Sequence, residues 1–109
     1  MHTVLFSVTP DAPSQPSITE VNVNYMVMTW EPPALDGGAP IARYIIDIKE
    51  TESSTWKRFL PNIKETKFKA EHLTKGKEYQ FQVAGINEAG QGEHSEPSEP
   101  TVARYPFGM

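Results

Sequence analysis

Apolar and polar residues alternate with a period of two along most of this chain, and no stretch of ten residues carries a sustained apolar stripe at helical spacing. Residues 16–22 read as a short first strand whose proline suits an edge position. Residues 25–30 place Met26, Met28 and Trp30 on one face and Tyr25, Val27 and Thr29 on the other. Pro32-Pro33 stops that strand, and Asp36-Gly37-Gly38 supplies a turn, because glycine reaches positive φ without a Cβ penalty. The strongest strand pattern spans 41–50, with Tyr44, Ile46 and Ile48 on one face and Ile45, Asp47 and Lys49 on the other. Further strands are expected over 55–60, ended by Pro61-Asn62, and over 66–70, where Phe68 points inward between Lys67 and Lys69. Residues 78–83 follow, with Tyr79, Phe81 and Val83 aligned, then a turn cluster at 87–92 and a last strand over about 94–103. Such short strands separated by turn signals predict an all-β, seven-stranded antiparallel sandwich.

Length and composition agree with one such domain. The chain has 109 residues, 38% hydrophobic and 22% charged, enough for a single core and too apolar for disorder. A net charge of −4 argues against nucleic acid as a partner, since a phosphate-binding domain usually carries a basic excess. Cysteine is absent, and none of Asn22, Asn24, Asn62 and Asn87 begins a glycosylation sequon. Both absences fit a reducing, cytoplasmic compartment. No run approaches the roughly 20 apolar residues that cross a bilayer, so no membrane partner is expected. The opening residues lack the basic flank of a signal peptide, and Val4, Phe6 and Val8 alternate as in a strand. The expected organisation is a linker or the end of a preceding module at 1–12, a domain at 13–103, and a linker to a following module at 104–109.

The landmarks together resemble the fibronectin type III family, with its immunoglobulin-like fold, from about residue 13 to 102. Trp30 stands at the family's second-strand tryptophan and Tyr44 opens the third strand. Leu73 and Tyr79 resemble the corner at which a tyrosine hydroxyl bonds back to the preceding loop, where backbone carbonyls are on offer. The 87–92 turn matches the one before the family's final strand. A narrower resemblance lies in Trp30-Glu-Pro-Pro-Ala-Leu-Asp-Gly-Gly-Ala-Pro-Ile41 followed by Tyr44. That segment is similar to modules of the giant muscle filament proteins, the group of titin, twitchin and myosin-binding protein C, and above all to titin's thick-filament region. The resemblance implies a cytoplasmic, sarcomeric location and neighbouring immunoglobulin-like or fibronectin type III modules in the same chain. It also implies contact with myosin or another thick-filament protein. No obvious apolar patch asks for a partner, so a monomer is expected in isolation. Three departures from the family pattern, Gly85, Ala70 and His94, suggest slightly weaker local packing.

No catalytic constellation emerges. His2, His72 and His94 have no metal-ligand spacing, no nucleophile elbow is present, and the two glycine clusters precede no helix, so turns explain them. No cofactor is expected. Arg-Gly-Asp is missing, although a ligand-recognition module of a cell-surface receptor or adhesion protein stays open as an alternative. Charge is the one surface feature that stands out. Residues 57–77 hold seven bases (Lys57, Arg58, Lys64, Lys67, Lys69, Lys75, Lys77) against Glu65 and Glu71, while 78–100 hold five acids and no base. Lys57, Arg58, Lys67 and Lys69 are the candidate docking residues. A solvated face whose lysines discourage edge-to-edge pairing explains such a run more simply. Trp56, on an edge strand, is a candidate interface anchor, though a tryptophan there commonly lies over its own sheet.

Overall fold

In the computed structural model, which describes residues 6–59 and 62–107, the chain forms eight short strands and, among those residues, no helix. They are β1 (Ser17–Val21), β2 (Tyr25–Thr29), β3 (Arg43–Glu50), β4 (Lys57–Arg58), β5 (Lys67–Glu71), β6 (Glu78–Asn87), β7 (Gly90–Gln91) and β8 (Thr101–Val102). One sheet has the order β1-β2-β5. The other runs β4-β3-β6-β7, with β8 also paired to β6, and every pairing is antiparallel. The all-β sandwich read from the alternation is the architecture found. Leu60 and Pro61, which the sequence assigns to a strand end and its breaker, lie outside the described residues, as do residues 1–5 with His2 and Val4.

The core forms where the two period-two patterns meet. Met26 and Met28 on β2 stand opposite Ala70 and Phe68 on β5, and face Tyr44 and Ile46 of β3 and Tyr79, Phe81 and Val83 of β6. Phe81, Met26, Met28 and Val83 are fully buried, each contributing about 1.5–3 kcal/mol of hydrophobic stabilisation. Trp30 meets Tyr44 edge-on at 5.5 Å, and Phe59 links Phe68 (5.3 Å) to Phe81 (6.5 Å) across the layers. Burial raises the pKa of the Tyr44 phenol above its ordinary value. The other face of β3 is covered too: Ile45 and Asp47 are only 3% and 4% exposed.

Several strands are shorter than the alternation implies. The 55–60 strand reduces to the two residues of β4, which pair with Ile48 and Asp47, and Ile63 continues beside Tyr44. The family-like corner is present with the opposite polarity: the Tyr79 hydroxyl accepts from the Thr74 N–H at 3.0 Å instead of donating to a carbonyl. Of the expected last strand over 94–103 only β8 is realised, because Pro97 and Pro100 have no N–H for a ladder, while β7 falls in the turn cluster at 87–92. Between them, two serines substitute for strand pairing. The Ser95 N–H donates to Val83 O at 2.7 Å while its Oγ accepts the Val83 N–H at 3.0 Å. Ser98 does the same with Phe81, at 2.8 and 2.9 Å.

The chain enters and leaves at opposite poles. Before β1 it runs beside the 35–38 and 87–92 loops, with Val8 N–H bonded to Gly37 O. After β8 the Ala103 N–H donates to Lys77 O and the Arg104 N–H to Asn22 O, at the far end.

Candidate interaction surface

The sheet orders sort the charges. β4 and β5 are outer strands of different sheets, and the Phe59–Phe68 contact brings them to the same flank. Lys57, Arg58, Lys64, Lys67 and Lys69 are all exposed on or between those strands. On the other flank, β1 lies near the 93–100 run, held there by Gln15 Nε2 donating to Pro97 O at 2.8 Å. That run carries exposed Glu93, Glu96 and Glu99. A basic half and an acidic half in sequence thus become a basic flank and an acidic flank in space. Lys75 and Lys77 of the basic run sit instead at the C-terminal pole, Lys75 over Tyr105 (4.7 Å) and Lys77 bonded to Glu50 (3.3 Å).

The five candidate residues differ in what else they do. Arg58 stands opposite Asp47 in the β3–β4 register, and its Nε lies 3.0 Å from Asp47 Oδ1. Asp47 is nearly buried, and Gln82 Nε2 (3.3 Å) and His94 Nε2 (3.0 Å) complete its shell at Oδ2. A buried carboxylate needs such donors, so Arg58 holds the sheet together before it offers anything to a partner. The alternation on β3 shows Asp47 at a strand centre but not the three long side chains that cover it, His94 among them. Lys69 Nζ lies 4.4 Å from the centre of the Tyr25 ring, and the Tyr25 hydroxyl donates to Glu20. That bond to an anion raises the Tyr25 pKa. Trp56 is half-buried on the same face as Arg58, with Lys49 Nζ 5.5 Å above its ring. Lys49 in turn donates to Thr51 O and Ser53 O at 3.0 and 3.1 Å, fixing the loop before β4. Among the described residues, Lys57 and Lys67 have neither an ion pair nor an aromatic partner. They are the freest charges of the set. Among the same residues no cluster of three His, Asp or Glu side chains could hold a metal.

The pattern described as "Fibronectin type III domain" matches residues 11–101. The chain belongs to the fibronectin type III family. Muscle proteins are among its relatives within that family. It is 40% identical over 94 residues to slow-type myosin-binding protein C of Homo sapiens, covering 85% of this chain and 8% of the relative. It is 34% identical over 100 residues to the cardiac type of Rattus norvegicus, covering 91% and again 8%. Among solved structures, the crystal structure of domains A168–A170 from titin superposes with a TM-score of 0.86 at 34% identity, over 90% of this chain and 33% of that one. This fibronectin type III domain therefore spans 8% of the length of each of these two curated relatives.

Proposed function

We propose that this domain is a non-catalytic structural and protein-interaction module of a giant sarcomeric protein, a spacer that docks weakly along the myosin thick filament. The observation that carries the reading is the separation of poles from flanks. Neighbouring immunoglobulin-like or fibronectin type III modules attach at the two poles, which leaves the charged flanks free to face a filament. The similarity to myosin-binding protein C and titin supports a cytoplasmic, sarcomeric location and favours this reading over a cell-surface receptor. In this organisation residues 13–103 form the domain, and 1–12 and 104–109 join it to its neighbours. Lys57 and Lys67 lead the contact with an acidic partner such as a myosin coiled coil, with Lys69 beside them. Arg58 and Trp56 shape the flank. Docking by one module is micromolar or weaker, and many modules in one chain sum to firm attachment.

Co-sedimentation of the domain with myosin filaments at low and physiological salt tests this. Weak, salt-sensitive binding is expected, lost in Lys57→Glu/Lys67→Glu and kept in Glu96→Gln/Glu99→Gln. Absence of binding at both salts, or binding indifferent to the lysine reversal, removes the docking flank.

A further inference from the structure

Asp47 sits on the face of β3 turned away from the core, yet it is 4% exposed and both of its oxygens are spent inside the domain. Oδ1 accepts from Arg58 Nε at 3.0 Å, and Oδ2 faces Gln82 Nε2 at 3.3 Å and His94 Nε2 at 3.0 Å. A carboxylate so placed has nothing left for an outside ligand. What it does is aim the arginine. Arg58 spends only its Nε–H on Asp47, its side chain is 44% exposed, and its two Nη groups have no hydrogen-bond partner among the described residues. The planar fork is thereby fixed at its base while the Nη groups stay available, which suits a planar anion received through two parallel hydrogen bonds.

The strand register builds a second position beside it. Asp47 pairs with Arg58 and Ile48 with Lys57, so Lys49 and Trp56 follow on the face of Asp47 and Arg58, while Lys57 alternates to the other side of β4. Lys49 Nζ stands 5.5 Å from the centre of the Trp56 ring and donates to Thr51 O and Ser53 O. That lysine is occupied. What it leaves is a half-buried indole held beside a fixed guanidinium, and Trp and Arg are the residue types that most often dominate a contact. Net charge does not single out this face. Arg43 is exposed on it as well, but Glu78 at one end of β6 and Glu93 beside His94 are exposed near its margins. The selecting feature is the fork and not the field.

We propose that Arg58, aimed by Asp47 and flanked by Trp56, is a carboxylate-reading site. It takes the side chain of a glutamate on a partner protein, with the carboxylate on the two Nη groups and the methylene stem against the indole. A phosphate dianion calls for more than one free cation, and here Lys49 is committed to two carbonyls; a carboxylate is matched by a single fork. The site deepens the docking reading above and rests on it for the kind of partner. Lys57 and Lys67 attract an acidic surface at a distance, and Arg58 fixes which carboxylate lands where.

The probe is acetyl-hexaglutamate amide, added at low salt to the 15N-labelled chain. The Arg58 Nε–H and Trp56 indole N–H signals are expected to shift together and saturably. Arg58→Lys keeps a positive charge and a donor for Asp47 but removes the fork, and is expected to weaken binding about tenfold. Lys57→Arg is expected to stay within about twofold. Saturable binding that leaves the Arg58 signal unmoved overturns the site, as does absence of binding; the unaltered chain decides this even where a variant unfolds. Arg58→Lys binding as tightly as the unaltered chain overturns it too. Inorganic phosphate that saturates the Arg58 shift at a lower concentration than the peptide overturns the carboxylate assignment. No myosin is present, so peptide binding at Arg58 upholds the site even where co-sedimentation fails. Myosin binding indifferent to Arg58→Lys overturns the site and leaves the lysine flank standing.

Discussion

Replacing Ser98 by alanine removes one oxygen from the interior, and the structure says what that oxygen does. Ser98 is 1% exposed, and its Oγ is the acceptor for the Phe81 N–H at 2.9 Å. Phe81 lies within β6 with its side chain fully buried, so water cannot readily take over the bond. Pro97 and Pro100 flank the serine, and the 93–100 run cannot slide to present a carbonyl instead, because the Ser98 N–H is already pinned to Phe81 O at 2.8 Å. A buried donor left without a partner costs about 1–3 kcal/mol, offset in part because the hydroxyl no longer has to be desolvated. Ser98→Ala is therefore expected to destabilise by about 1–2 kcal/mol. Ser95→Ala acts in the same way on the Val83 N–H. The two serines serve different amides, so the double variant is expected to lose about 2–4 kcal/mol. Guanidinium unfolding followed by the fluorescence of buried Trp30 measures the change, with the m-value unaltered. Glu99→Ala, on the exposed side of the same run, serves as the control within about 0.5 kcal/mol. Hydrogen exchange locates the effect, since the Phe81 amide alone should lose protection beyond the global change in Ser98→Ala. A Ser98→Ala chain as stable as the original, with Phe81 still protected to the same degree, would refute the reasoning.

Two further outcomes follow from the polar groups inside the fold. Arg58→Met is expected to cost about 1–2 kcal/mol by leaving Asp47 short of a donor, less than a fully buried pair because the Arg58 side chain is 44% exposed. Asp47→Leu added to it should recover most of that loss in urea unfolding; a double variant weaker than the single would contradict the assignment of Asp47 as a carboxylate held by its donors. The Tyr44 phenol has a folded-state pKa raised by burial, so its contribution to stability is fully present below the unfolded value of about 10 and is lost as pH rises through the folded one. Titration at 295 nm should show late-ionising phenols from Tyr25 and Tyr44, and the part that coincides with unfolding should disappear in Tyr44→Phe; unchanged late amplitude in that variant would rule this out.

Much of the fold was legible because the sandwich obeys a local rule. Met26, Met28, Tyr44, Ile46, Phe81 and Val83 all point inward as alternation requires, and each strand centre falls where turn residues leave room for it. Strand ends were less legible, because they depend on what a neighbour can pair with. β4 pairs in register only with Asp47 and Ile48, and beyond it Phe59 N–H bonds Ile46 O. Most of the 94–103 segment forms no ladder because Pro97 and Pro100 have no N–H. The charge runs marked the flanks correctly as sequence blocks. They could not show that Arg58 is tied to Asp47 or that Lys75 and Lys77 belong to a pole, since both facts depend on contacts between distant segments.

The roles of Ser95, Ser98 and Gly92 were not legible in the sequence for a shared reason. Ser, Gly, Pro and Asn in clusters signal turns because each eases a local backbone conformation. Here the same residue types also answer to chain that arrives from far away in sequence. Ser95 and Ser98 supply acceptors to β6, Asn87 bonds a carbonyl 79 residues upstream, and Gly92 is small because Pro10 lies against it. A turn-like composition is thus the visible part of two different demands, and only one of them is local. The distinction matters for what the module can do. If the loops of the N-terminal pole served only to reverse the chain, their exact residues would leave the direction of the incoming polypeptide undetermined. Because they are built around residues 7–10, the direction of the chain at this pole is part of the fold.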